Sequence, residues 1–161
     1  MFARLREANY LTESAHDALV SALTQKQSSD DRRVSALHIL EQHSFRNLWD
    51  MLFFLSADSG IPLIELSRFE PQQVAFRHLD ADVMLHHNVL CFDTLDQSLL
   101  TVVLNPYDQS MCKWVVTQTG CDHVFYMCMA SDFDLALNRI VEAVQSQPET
   151  DDVTEDQRSD D

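Results

Sequence analysis

Four cysteines and seven histidines are the side chains of this sequence with the most chemical reach. A nucleophile–base pair could be drawn from Cys91, Cys112, Cys121 or Cys128 with His86, His87 or His123. None of these residues lies in a local signature of an activated thiol, and thiols in apolar strands serve packing. Cys121, His123 and Cys128 form the one trio with metal-ligand chemistry. Cys121 and His123 share a strand face, but Cys128 has the opposite parity and points to the other side. The expected reading is two core thiols and a surface histidine, with no metal and no cofactor. His86 and His87 close a helix, where imidazole near the last carbonyls is a capping arrangement. Asp80, Asp82, Asp93 and Asp96 are scattered near turns, and no two of them make a general acid/base couple.

The glycines exclude more than the cysteines suggest. A phosphate-binding loop of the form GxxxxGK[ST] brings glycine backbones against the phosphates, and a dinucleotide fingerprint needs three clustered glycines. This chain has two, Gly60 and Gly120, and neither precedes Lys-Ser or Lys-Thr. No ATP hydrolysis by a phosphate loop is possible, and the chain is expected not to be an enzyme.

Both glycines instead mark where helices stop. The stretch 99–129 reads as strand, turn, helix, stop, strand. Leu99, Leu100, Val102 and Val103 form a strand that Asn105-Pro106 ends, since proline cannot extend a ladder. Asp108 caps the helix carrying Met111, Trp114, Val115 and Thr119, and Gly120 supplies the positive φ at its end. Val124, Tyr126 and Cys128 then alternate with Phe125, Met127 and Met129 as a second strand, parallel to the first.

The rest of the chain covers this unit. Residues 12–27 are an amphipathic helix capped by Thr12, with Ala15, Leu19, Val20 and Leu23 on one face. Residues 25–31 are a loop, and Ser29 or Asp30 caps a second helix with Val34, Leu37 and Leu40. Ser44 caps a third helix from residue 45 to about residue 57, apolar almost all round. Within it Phe45, Trp49 and Phe53 repeat every fourth residue; they suit either core packing or a face lent to a partner helix. Residues 61–66 are extended, with Pro62 at a strand start or edge. Pro71 opens a short helix, a second spans 79–87, and 89–92 is a strand leading through a hairpin connection at 93–97. Ser131 and Asp134 have capping-box spacing for a closing helix carrying Leu135, Leu137, Ile140, Val141 and Val144. The fold class is α+β: a helical subdomain at 1–58, a small α/β subdomain at 59–145, and an acidic tail or linker at 146–161.

At 161 residues and 45% hydrophobic content the chain can build a real core. A formal charge of −15 opposes binding to a phosphate backbone, so no nucleic-acid partner is expected. The longest apolar run, MLFFL at 51–55, is far too short to span a bilayer, and the first ten residues lack a signal peptide's apolar stretch. The cysteine spacing shows no CxxC pair, which suits reduced thiols and a cytoplasmic location.

From residue 59 to residue 144 the pattern resembles the N-terminal domain of type II secretion and type IV pilus assembly ATPases (general secretion pathway protein E, N-terminal domain). The pieces are SGIPLIEL at 59–66, Pro71 opening a short helix, LTVVLNPYD at 100–108, KWVVTQTG at 113–120 and DFDLALNRI at 132–140. The preceding segment, about 5–55, is similar to a degenerate, MshE-type form of the tandem helical motif found in those domains that bind cyclic di-GMP. LREANYLT at 5–12 and ILEQHSF at 39–45 stand where that motif turns on glycine, with Asn9 and His43 in the glycine places and no Arg-Leu-Gly opening.

The resemblance implies a non-catalytic docking or regulatory module ahead of a motor ATPase. Its implied partner is the cytoplasmic part of an inner-membrane secretion or pilus assembly protein, which would hold the chain at the inner membrane without a span of its own. Phe45, Trp49 and Phe53 are the candidate partner-binding residues. The alternative is a cyclic di-GMP sensor using Arg4, Arg6, Arg33 or Arg46 near the two degenerate turns. A third reading is an accessory domain of another membrane-associated enzyme.

Overall fold

The computed structural model of the chain describes residues 1–29 and 34–146. Among the described residues six of eight α-helices precede the first of three strands, one helix joins the last two strands and one follows them, an α+β fold. The charged segment expected as a tail at 146–161 therefore lies, from residue 147 on, outside the described residues.

Helices α1 (Phe2–Glu7) and α2 (Glu13–Ser29) are followed by α3 (Ala36–Gln42) and α4 (Leu48–Ser59). Only three helices are expected here from the sequence; α1 is the addition, a six-residue helix too short for a periodic signal and held by burial of Phe2 and Leu5. Thr12 caps α2 as expected, its Oγ1 accepting from the Ala15 amide at 3.2 Å. The start of α3 differs from expectation. Ser29 belongs to α2, Asp30 lies outside the described residues, and Ser35 caps α3 in a reciprocal box with His38.

The third expected helix begins three residues late. Ser44 does not cap it; Ser44 sits at φ 49, in the left-handed region that ends α3. The chain needs the stretch to Asn47 to turn before α4 can start, so Phe45 precedes the helix and is not in line with Trp49 and Phe53. Gly60 ends α4 at φ 73, as its lack of a Cβ allows.

Residues 61–64 run extended beside the end of the sheet, with Ile64 N–H donating to Met127 O and Met127 N–H to Pro62 O, both at 2.9 Å. A single 3-10 turn (Leu66–Arg68) and two short helices, α5 (Gln73–Phe76) and α6 (Ala81–His87), lead to β1 (Val89–Leu95). Strand β1 pairs antiparallel with β2 (Ser98–Val103), and β2 pairs parallel with β3 (Asp122–Tyr126), giving the order β1-β2-β3. The hairpin is tighter than expected, because Asp96 at φ 55 turns the chain in place of a longer loop. Strand β3 ends at Tyr126, earlier than its alternating apolar residues suggest. Helix α7 (Gln109–Thr119) joins the parallel strands; Asp108 caps it, accepting from Met111 N–H at 2.9 Å, and Gly120 ends it at φ 66.

The closing helix α8 (Ala130–Gln145) is not capped by Ser131. Glu41 of α3 reaches across, its two carboxylate oxygens accepting from the amides of Ala130 and Ser131. A carboxylate on the first free amides of a helix combines a charge-assisted hydrogen bond with a favourable macrodipole. Glu41→Ala is expected to destabilise the fold by about 1–2 kcal/mol, and Glu41→Gln by less. Urea unfolding midpoints of the two variants check the order.

The apolar core is continuous across the molecule: Leu5, Leu19, Leu40, Leu52 and Leu55 from the helical part join Leu66, Phe92, Val102, Met127 and Phe133. Phe92 sits at a β-bulge between Cys91 and Asp93, its ring 5.3 Å from Phe69 and 6.2 Å from Tyr126.

Candidate functional site

Helix α4 divides sharply. Met51, Leu52 and Leu55 are fully buried, while Trp49 is 48% and Phe53 61% exposed. Their ring centroids lie 6.2 Å apart, so the two aromatics form one patch. Scattered apolar residues on a surface are ordinary, but paired large aromatics on one helix face are the composition of interface centres. Phe54 fixes the helix roll by packing on Tyr10 at 5.2 Å, which turns Trp49 and Phe53 outward. Phe45 is half-buried and stacks on His43 at 6.2 Å, outside this patch. Of the three expected partner-binding residues, the structure brings two together.

The far end of α4 is tied down by groups that sequence reasoning does not find. Arg4 Nε donates to Asp58 Oδ2 at 3.0 Å and Arg4 Nη1 to Glu7 Oε2 at 2.9 Å. Tyr107, from the loop before α7, donates to the same Asp58 oxygen at 2.7 Å. Asp58 thus joins α1, α4 and the α/β part, and these residues are too far apart in sequence to leave a local signal. The Arg4 and Tyr107 hydrogen bonds hold the Asp58 carboxyl below its ordinary value. Burial, helped by the Asp58 carboxylate, pushes the Tyr107 phenol up to about 12.

The four arginines of the nucleotide alternative are not gathered into an anion site. Arg4 is committed to Asp58 and Glu7. Arg6 is exposed in α1, Arg46 is exposed in the turn before α4, and Arg33 lies outside the described residues. The two turns differ in backbone conformation. Asn9 holds the left-handed conformation at φ 63. In the second turn the left-handed residue is Ser44, not His43, which stays at φ −80.

The cysteines and histidines do not assemble as a nucleophile. Cys91 is buried, accepts from Thr101 Oγ1 at 3.5 Å, and has its thiol pushed up to about 11 by burial. Burial also raises Cys112 and Cys128, so none of these three is a ready thiolate. His123 is held between two hydroxyls, with Nδ1 2.8 Å from Thr101 Oγ1 and Nε2 2.7 Å from Thr119 Oγ1. Cys121 Sγ lies 4.0 Å from His78 Nδ1 and is half-buried, whereas Cys128 is fully buried in the core. Among the described residues no group of three His, Cys, Asp or Glu side chains could hold a metal ion.

Burial, with His78 adding to it, keeps His123 below its ordinary value of 6.5, and Arg4 keeps Asp58 below 3.8. In both cases the folded state binds fewer protons than the unfolded chain at these pH values. The stability each contributes is full above its ordinary value and is lost as pH falls through its depressed one. Acidification is expected to weaken the fold in two steps, His123 below about 6.5 and Asp58 below about 3.8. In urea midpoints measured against pH, Asp58→Asn should remove the lower step only.

These features define a class: a small α+β domain with an exposed aromatic helix face, a tethered helical part and no phosphate loop. The family model of the MshEN domain matches residues 59–147, and the chain belongs to that family. The resemblance read from SGIPLIEL through DFDLALNRI is therefore the family itself, that of the N-terminal domains of type II secretion and type IV pilus assembly ATPases. No curated protein matches the chain.

Solved structures agree on the fold. The N-terminal domain of XpsE superposes with a TM-score of 0.61 at 19% identity, covering 85% of this chain and 90% of that one. A second crystal form of the same domain gives 0.54 at 18%, covering 85% and 91%. MshE with cdg (cyclic di-GMP) gives 0.58 at 18%, covering 86% of this chain and 96% of that one. Among the described residues no helix is long and apolar enough to cross a membrane.

Proposed function

We propose that this domain is a non-catalytic docking module of a type II secretion or type IV pilus assembly machine. It would bind the cytoplasmic part of an inner-membrane assembly protein through the Trp49–Phe53 face of α4, and so act at the cytoplasmic side of that membrane. The helical part, 1–58, presents the face, and the α/β part, 59–145, braces it through Asp58 and Tyr107. The observation that carries the reading is the exposed aromatic pair on a helix whose other side is fully buried. Family membership supports the choice of machine. Affinity capture from detergent-solubilised membranes with the full chain tests it. Recovery of an inner-membrane secretion or pilus component by the wild type, and its loss with Trp49→Asp, is the expected result. Equal recovery by both overturns the reading.

Cyclic di-GMP binding is the second reading, favoured by the similarity to MshE with cdg and by the left-handed turn at Asn9. Against it, a side chain occupies each turn where close backbone approach needs glycine, and Arg4 is already paired twice. Titration calorimetry with cyclic di-GMP is expected to give no saturable heat.

A further inference from the structure

The outer edge of β3 is open, and we propose that it takes up an extended segment of a partner protein as an added strand. The alternation of a parallel strand decides which groups are free. Met127 continues β3, and its N–H and C=O point away from β2, to Pro62 and Ile64. In a strand both backbone groups of one residue leave on the same side, and successive residues alternate. His123 and Phe125 therefore point outward with Met127, while Asp122, Val124 and Tyr126 face β2. Among the described residues nothing pairs with the four outward groups of His123 and Phe125. At the opposite edge of the sheet, Gln72 N–H donates to Phe92 O at 2.8 Å, so that edge is partly engaged by this chain.

Beside the open edge lies a shallow groove lined by Cys112, Lys113, Val116, Thr117 and Phe125, with a volume of about 370 Å³. Its apolar members, Val116 and Phe125, belong to α7 and β3 and would receive alternate side chains of an incoming strand. Lys113 is the one charged residue of the lining, and because helix α7 runs antiparallel to β3 it lies towards the Tyr126 end. The complementary occupant is an extended segment with apolar side chains at alternate positions and an acidic residue at the Lys113 end. Pro62 and Leu63 already occupy the position beside Met127, which limits the added strand to the length of β3. A second copy of this chain is disfavoured: its own β3 would run into residues 62–63, and each copy carries −15.

This surface is separate from the Trp49–Phe53 face, so either can fail without the other. A random heptapeptide library displayed on phage, panned against the full chain, provides the probe. Enriched peptides are expected to carry apolar residues at alternate positions with an acidic residue at one end, and to slow hydrogen exchange at the His123 and Phe125 amides. Those two amides should exchange fast in the free chain while Val124 and Tyr126 are protected. Val116→Asp should weaken the selected peptides at least tenfold, and Lys113→Glu should replace the selected acidic end by a basic one. The proposal is overturned if no peptide is enriched, or if peptides bind Val116→Asp unchanged and leave both amides exchanging as before. Protection of both amides by raising protein concentration alone would assign the edge to a second copy and overturn it equally.

Discussion

Trp49→Asp is expected to weaken partner binding by roughly 30- to 1000-fold, about 2–4 kcal/mol, while leaving the unfolding midpoint almost unchanged. The two halves of that expectation come from one fact. Trp49 is 48% exposed and touches Phe53, so a carboxylate there meets water in the free chain and a desolvated apolar contact in the complex. Phe53→Asp, at 61% exposure, should behave alike, and the double variant should lose little more, because paired anchors act as a unit. Phe45→Asp should behave differently: half-buried beside His43, it is expected to lower stability before it affects binding. Binding isotherms read beside urea curves separate these cases.

Phe133→Ala is expected to cost about 3–5 kcal/mol of stability, enough to leave much of a marginal domain unfolded. Phe133 is fully buried in the first turn of α8, the helix that Glu41 caps and that packs on the short 3-10 turn after residue 65. Its removal leaves a ring-sized void where the helical and α/β parts share one core. Phe53→Ala, the same chemical change on an exposed face, should stay within about 0.5 kcal/mol of wild type. The contrast between two phenylalanines tests the burial pattern on which the proposed face depends.

The parts of this fold that were legible in the sequence are those settled within a few residues. Asp108, Gly120, Gly60 and Thr12 each act on the backbone next to them, and the helices they bound follow. Non-glycine residues in the left-handed region carry no comparable mark. Ser44 reads as a helix cap and proves to be a helix terminator, which displaced the start of α4 and with it Phe45. A short helix such as α1 has no room for periodicity, and only the burial of Leu5 explains it. The long-range ties are invisible to any local rule. Glu41 sits far in sequence from the amides of Ala130 and Ser131, and Asp58 far from both Arg4 and Tyr107. The spacing of Trp49 and Phe53 pointed to one face, but whether it met core or water depended on where Phe54 and Tyr10 fixed the helix roll.

The central claim is that the Trp49–Phe53 face meets an inner-membrane assembly protein. A photo-crosslinking amino acid placed at position 53 of the full chain, activated in living cells of the source organism, tests it most directly. The account predicts a covalent adduct with an inner-membrane component of a secretion or pilus machine, absent when the same group is placed at exposed Leu95 on the hairpin. An adduct of equal yield from both positions, or none from position 53 while the machine is assembled, would contradict it.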